Sequence, residues 1–147
     1  MLKDNTVGRY SQREKLAYVA GFLDGDGSIM LQLRKNTGGK IIRIKTTICL
    51  YQDSRHRADL EWMQNILGGY VYTRNDNISE LRIEGFTRVL SILILLRPFI
   101  RLKRKQASLL IKLIPQLQQK MVTKDNVAKW IKKMREYNYY SSQRTSL

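Results

Sequence analysis

Hydrophobic residues recur along this chain in two alternating periods. Between residues 12 and 23 they fall at Leu16, Val19, Ala20 and Leu23, the three-and-four spacing of one helix face. Ser11, with Glu14 three residues later, supplies a capping box at the start, and Gly25 and Gly27 stop the helix. From 28 to 35 the period drops to two: Ile29, Leu31 and Leu33 share one face, and Ser28, Met30, Gln32 and Arg34 the other. A turn over 36–39 leads into a second alternating run, 41–52. Here Ile42, Ile44, Ile48 and Leu50 point inward and Arg43, Lys45, Thr47 and Cys49 outward, so a hairpin with a basic outer face is predicted.

The pattern then repeats. Asp53 or Ser54 caps a helix to residue 67 carrying Leu60, Met63, Ile66 and Leu67, and Gly68-Gly69 ends it. A second hairpin spans 70–74 and 79–84 around Asn75-Asp76-Asn77, with Val71, Leu81 and Ile83 inward and Tyr72, Arg74, Glu80 and Arg82 outward. Residues 86–97 form an apolar helix stopped by Pro98, and 103–117 form another, weakened in its last turn by Pro115. A final helix over 123–137 carries the stripe Val127, Trp130, Ile131 and Met134 among lysines. The order predicts an α+β fold of αββαββα type, a saddle-shaped antiparallel sheet backed by helices, with further helices at the C-terminal end. A chain of 147 residues suits a single domain: a core at about 11–117, a basic helical extension at about 118–140 and a frayed tail at 141–147.

Charge narrows the function. There are 27 Lys and Arg against 12 Asp and Glu, a net +15, and residues 101–147 alone hold 12 basic and 2 acidic residues. Such an excess points to a polyanionic partner. The longest strongly apolar run, 89–96, is too short to span a membrane, and the polar opening segment lacks the apolar stretch of a secretory signal, so an intracellular setting, organelle or prokaryotic cytoplasm and nucleoid, is expected. One cysteine and one histidine exclude an internal disulfide and a thiolate-rich or histidine-based zinc site within one chain. Any metal must bind through oxygen.

One turn concentrates the acids. Asp24-Gly-Asp26-Gly-Ser28 begins like a calcium loop, but the twelfth position from Asp24 is Lys35, where a bidentate Glu is required. Ala17, Gly21 and Gly25 recur every four residues and leave a strip with almost no side chain, along which two helices can approach backbone to backbone or one helix can pack on its own sheet. Asp26 at a helix C-terminus faces the negative end of the macrodipole, which calls for a compensating charge. A hard cation such as Mg2+ suits its carboxylate and the Gly25 carbonyl, whereas Asp24 is better placed to cap or to bond across a dimer.

Residues 16–28 read Leu-Ala-Tyr-Val-Ala-Gly-Phe-Leu-Asp-Gly-Asp-Gly-Ser, and here the chain resembles the LAGLIDADG homing endonucleases. The resemblance covers the signature and the following αββαββ order, about 11–117, and is strongest to the single-motif, homodimeric members. It implies an intron-encoded, metal-dependent endonuclease that makes a double-strand break in a long pseudo-palindromic DNA site. Asp26 and the Gly25 carbonyl would hold Mg2+; Mn2+ would substitute, and Ca2+ would support binding without efficient cleavage. Gln52 and Lys103, the latter in the run Arg101-Leu-Lys-Arg-Lys-Gln106, match the family's active-site periphery. Ala17, Tyr18, Gly21, Asp24 and Gly25 would form the dimer interface.

The outward faces of the hairpins would read the DNA. Arg34, Arg43, Arg74, Arg82 and Gln32 suit base edges, Lys45 suits base or phosphate, and Ser28, Met30, Thr47, Tyr72 and Glu80 complete the face. Any one of these alone is an ordinary solvated strand residue. The rival functions are a maturase that binds host intron RNA, a non-cleaving DNA-binding regulator on the same fold, and a basic ribonucleoprotein component. A binder has no need of an acid at the nucleic-acid surface, which favours cleavage.

Overall fold

The structure is a computed structural model; it describes the backbone of residues 9–143 and, within that range, every side chain except those of 42, 124, 125 and 140–143. The chain begins with α1 (Gln12–Asp26). Its capping box is present in full: the Ser11 hydroxyl accepts from the Glu14 N–H at 3.1 Å, and the Glu14 carboxylate accepts from the Ser11 N–H at 2.9 Å. Leu16, Val19, Ala20 and Leu23 are buried, as their spacing requires.

The chain passes from α1 directly into β1 (Gly27–Lys35), which pairs antiparallel with β2 (Ile41–Asp53). Only glycine fits at the junction. A Cβ on Gly27 would lie 2.9 Å from the Cys49 carbonyl oxygen and 2.7 Å from a Leu23 methyl group. Gly27→Ala is therefore expected to destabilise by about 1–3 kcal/mol, the usual cost of overpacking, seen as a lower denaturation midpoint. The β1–β2 turn is closed by the Asn36 side chain, which accepts from the N–H groups of Gly38 and Lys40. The register shifts between Arg34 and Lys35, and Ile42, expected inward, falls at this irregularity and among the undescribed side chains.

After a one-turn 3-10 helix (Ser54–His56) capped by Asp53 comes α2 (Arg57–Leu67), which buries Leu60, Met63 and Leu67. Gly68 and Gly69 follow with φ of 76° and 85°, and a Cβ on Gly69 would clash with the Arg82 carbonyl oxygen. Strands β3 (Tyr70–Thr73) and β4 (Ile78–Glu84) form the second hairpin. Because β4 pairs with β2, the sheet order is β1-β2-β4-β3.

Helix α3 (Phe86–Leu96) is followed by a 3-10 turn containing Pro98, then α4 (Arg104–Gln118) and α5 (Lys124–Gln143). The predicted αββαββα order with helical additions is what is found. Pro115 does not end α4, which runs on to Gln118, and α5 continues six residues beyond the expected stop at 137. Part of the expected frayed tail, 141–143, is thus helical; 144–147 lie outside the described residues.

One apolar cluster lies between the sheet and the helices. Ile29, Ile48, Leu50, Leu81 and Ile83 from the strands meet Leu23, Leu60, Met63, Leu93, Leu96, Leu110 and Ile114 from the helices, most with no exposed surface at all. Since the helix-facing strand residues are apolar or small, apart from Gln52 at the end of β2, the helices occupy that face and the other face is left open. No helix among the described residues is long and apolar enough to cross a membrane.

Candidate active site and nucleic-acid interface

The acidic turn sits where α1 ends, with Asp24 partly buried and Gly25 and Asp26 exposed. Negative charge accumulates here: two carboxylates and the last helical carbonyls lie together, and the final turn of α1 has no basic residue. Compensation arrives from almost 80 positions along the chain. The backbone N–H of Arg101 donates to one Asp24 carboxylate oxygen at 2.7 Å, the N–H of Lys103 donates to the other at 3.1 Å, and the Lys103 ammonium donates to the Asp24 carbonyl at 2.8 Å.

These three bonds give Asp24 the capping role that was one of the two expected for it. Both of its carboxylate oxygens are engaged within its own chain, and they tie the segment after Pro98 to the end of α1. The consequence is that Lys103 is fixed beside Asp26. Half-burial pushes the Lys103 ammonium below its ordinary pKa, against the upward pull of the Asp24 and Asp26 carboxylates. A cation held in such surroundings interacts with a nearby anion more strongly than one in open water.

The Asp26 carboxylate makes no hydrogen bond or ion pair among the described residues. No cluster of three or more His, Cys, Asp or Glu is found among them either. One free carboxylate and the last-turn carbonyl of Gly25 fit a hard cation that completes its shell with water, phosphate oxygens or a second copy of the turn; they do not fit a closed, single-chain metal cage.

Gln52 approaches from the sheet. It lies two residues past the Gly27–Leu50 pair, so the antiparallel register carries it to the level of the acidic turn, and its side-chain oxygen accepts from the Asp53 N–H at 2.8 Å. Ala17, Gly21 and Gly25 form an exposed strip, and a Cβ added at Gly21 or Gly25 would meet nothing within 4 Å. Tyr18, beside the strip, is 49% exposed and packs edge-on against Trp62.

On the open face of the sheet, the register aligns Ser28 with Cys49, Met30 with Thr47, Gln32 with Lys45 and Arg34 with Arg43, then Thr47 with Glu84, Cys49 with Arg82 and Tyr51 with Glu80. All the expected strand residues of this face do share it, and Arg74 stands at its margin in the β3–β4 turn. Two are not free to touch a ligand as expected. Thr47 is wholly buried with its hydroxyl unpartnered, and Glu80 is 6% exposed and bound to Arg74 at 3.2 Å. Both lie mid-sheet, where longer neighbours cover a short or inward-drawn side chain.

The face is divided in charge. Gln32, Arg34 and Arg43 are exposed or nearly so and have no ion-pair partner among the described residues. Toward β4 the cations are paired: Lys45 with Glu84 at 2.8 Å, Arg82 with Glu84 at 3.6 Å, and Arg74 also with Asp76 at 2.6 Å. Tyr51, Tyr70 and Glu84 belong to this face and were missed from the sequence. Tyr51 shares a hydrogen bond with Ser28 at 3.1 Å, and Tyr70 stacks on Tyr72. Carrying the period-two alternation one step further along each strand would have found all three.

Comparison with known proteins gives a single answer. Residues 19–96 match the model of the LAGLIDADG endonuclease family. The DNA endonuclease I-CreI of Chlamydomonas reinhardtii is 32% identical over 139 residues, which is 91% of this chain and 85% of that protein. The DNA endonuclease I-CvuI of Chlorella vulgaris is 34% identical over 105 residues, 70% of this chain and 65% of that protein. A crystal structure of the homing endonuclease I-CvuI in complex with its target, in the presence of 2 mM Ca, superimposes with a TM-score of 0.76 at 29% identity, covering 86% of this chain and 83% of that one.

Proposed function

The chain belongs to the LAGLIDADG endonuclease family and is a DNA-cleaving homing endonuclease; we propose that it acts as a homodimer, cutting both strands of a long pseudo-palindromic site with the help of divalent cations. The observation that carries this reading is the pairing of an unpartnered Asp26 carboxylate with a tethered Lys103 at the end of a helix whose outer strip is bare.

Each chain has one acidic turn, yet a double-strand break needs two. Crossing a minor groove only roughly 6 Å wide requires the two turns to be neighbours, and two α1 helices packed along Ala17, Gly21 and Gly25 would bring them together. Asp26 and the Gly25 carbonyl would hold Mg2+. When bound, the ion supplies positive charge at the phosphate and lowers the pKa of a coordinated water.

The chain's own groups do the rest. Lys103 presents its ammonium where charge builds up on the phosphate, without having to reorganise, because Asp24 and the Arg101–Lys103 backbone already hold it. Gln52 positions the attacking water through its amide. The open face of the sheet enters the major groove, where Gln32, Arg34 and Arg43 donate to base edges.

Incubation with Mg2+ and a randomised duplex pool, read by sequencing, tests the whole. A discrete set of cut sites with two-fold symmetry is expected. A protein that retards duplexes without nicking them at any Mg2+ concentration belongs instead with the non-cleaving regulators. Binding should also weaken steeply with salt, and a nearly flat plot of log K against log salt would contradict extensive phosphate contact.

Asp24→Asn tests the tether. It removes the charge from two amide hydrogen bonds and places an NH2 where an acceptor is needed, so Lys103 loses its fixed position. Cleavage is expected to fall roughly 10- to 100-fold, the range seen when groups that orient a site's ligands are removed, with site affinity retained. Equal cutting by parent and variant would show the tether to be dispensable.

A further inference from the structure

An anionic side chain on a face that binds a polyanion works against affinity, so its presence needs a reason. Glu84 is such a group. It lies on the open face opposite Thr47, and one of its carboxylate oxygens takes the Lys45 ammonium at 2.8 Å while lying 3.6 Å from the Arg82 guanidinium. All three side chains keep contact with solvent: Lys45 is 33% exposed, Arg82 24% and Glu84 29%. Arg82 is restrained further by the Tyr72 hydroxyl, to which it donates at 3.4 Å, and its Nε is buried without a hydrogen-bond partner.

We propose that Glu84, with Lys45 and Arg82, forms a specificity triad that selects one base pair in each half-site by demanding an exocyclic amine next to guanine-type acceptors. The inference rests on the endonuclease reading above. In the major groove a carboxylate finds favourable partners only at the amino groups of cytosine and adenine. Guanine O6 and N7 and thymine O4 are acceptors and repel it. Lys45 and Arg82 have the opposite preference and donate to guanine. A carboxylate flanked by two cations therefore matches the edge of a G·C pair, with the amine at Glu84 and the acceptors at Lys45 or Arg82.

Ionisation of Glu84 supports this role, since the hydrogen bond from Lys45, together with the charges of Lys45 and Arg82, holds its carboxyl below the ordinary range. The same ion pairs also act on non-cognate DNA. While Glu84 occupies Lys45 and Arg82, those cations are less free to settle on phosphates of any sequence, and wrong sites are disfavoured by an unmatched acid. Glu80 does not compete for this role: it is almost fully buried and turned to Arg74. The exposed cations Arg34 and Arg43 lie toward the other end of the β1–β2 hairpin and have no ion-pair partner among the described residues.

The test compares parent, Glu84→Gln and Glu84→Ala in two assays: enrichment of bound duplexes from a randomised pool in Ca2+, and cutting of the same pool in Mg2+. Glu84→Gln is expected to lose preference at one position and its symmetry mate, on the order of tenfold, with the other positions unchanged, and to bind non-specific duplex more tightly. Glu84→Ala should do the same, which guards against the glutamine amide mimicking an acceptor. A preference profile that is unchanged, or weakened evenly at all positions, would reduce Glu84 to a tether and overturn the proposal. A parent that selects sequence in Ca2+ but never cuts in Mg2+ would refute the endonuclease reading while leaving the triad's prediction intact in the binding assay.

Discussion

Asp26→Asn is expected to reduce the single-turnover rate of strand cleavage roughly 10³-fold or more, the scale on which loss of a charge-stabilising catalytic group is felt, while leaving DNA binding intact. The structure makes this a clean experiment. Asp26 is exposed and makes no hydrogen bond or ion pair among the described residues, so the fold does not depend on a contact of its carboxylate. It also sits at the negative end of α1, where neutralising a carboxylate slightly favours the helix. Stability should therefore stay within about 0.5 kcal/mol of the parent, as for surface changes generally. Affinity for duplex measured in Ca2+-free buffer should be equal or higher, because one repulsion with phosphate is gone. Cleavage at close to the parental rate would show that the cation is held elsewhere and that the role given to Asp26 is wrong.

Much of this site was legible before any coordinates, because its parts are local. The Leu16, Val19, Ala20, Leu23 stripe and the Ser11–Glu14 box each depend on residues a few positions apart, and both are found as expected; of the two glycines expected to stop α1, Gly27 does so, while Gly25 lies inside the helix. The alternation on β1 and β2 likewise decided which residues share the open face, since a one-place slip would have put Ile29, Ile48 and Leu50 into solvent. What could not be read were the contacts made at long range. Nothing near Asp24 in sequence announces that Arg101 and Lys103 will claim its carboxylate, and nothing near Thr47 shows that it will be covered. One charge pairing followed the same rule: Lys45 looked as free as Arg34 and Arg43 until β4 brought Glu84 alongside it.

Gly21→Leu is expected to leave the single chain folded and to eliminate both dimer and cleavage. Its value lies in the emptiness around Gly21, where an added Cβ would meet nothing within 4 Å of its own chain. The Cβ of the new side chain therefore meets no clash within its own chain. Leucine is moreover the better helix former by close to 1 kcal/mol in an exposed helix interior, so α1 itself should gain. Any harm must then come from outside the chain, from a second α1 that can no longer approach along the strip. Sedimentation of the variant with and without a cognate duplex should show monomers where the parent shows dimers, with circular dichroism unchanged and double-strand cutting lost. Ala17→Leu, also exposed and one turn away, should behave in the same direction, so aggregation of one variant would not decide the question. If both variants sediment and cut like the parent, α1 does not meet its copy along this strip, and the two acidic turns must be brought to opposite strands in some other way.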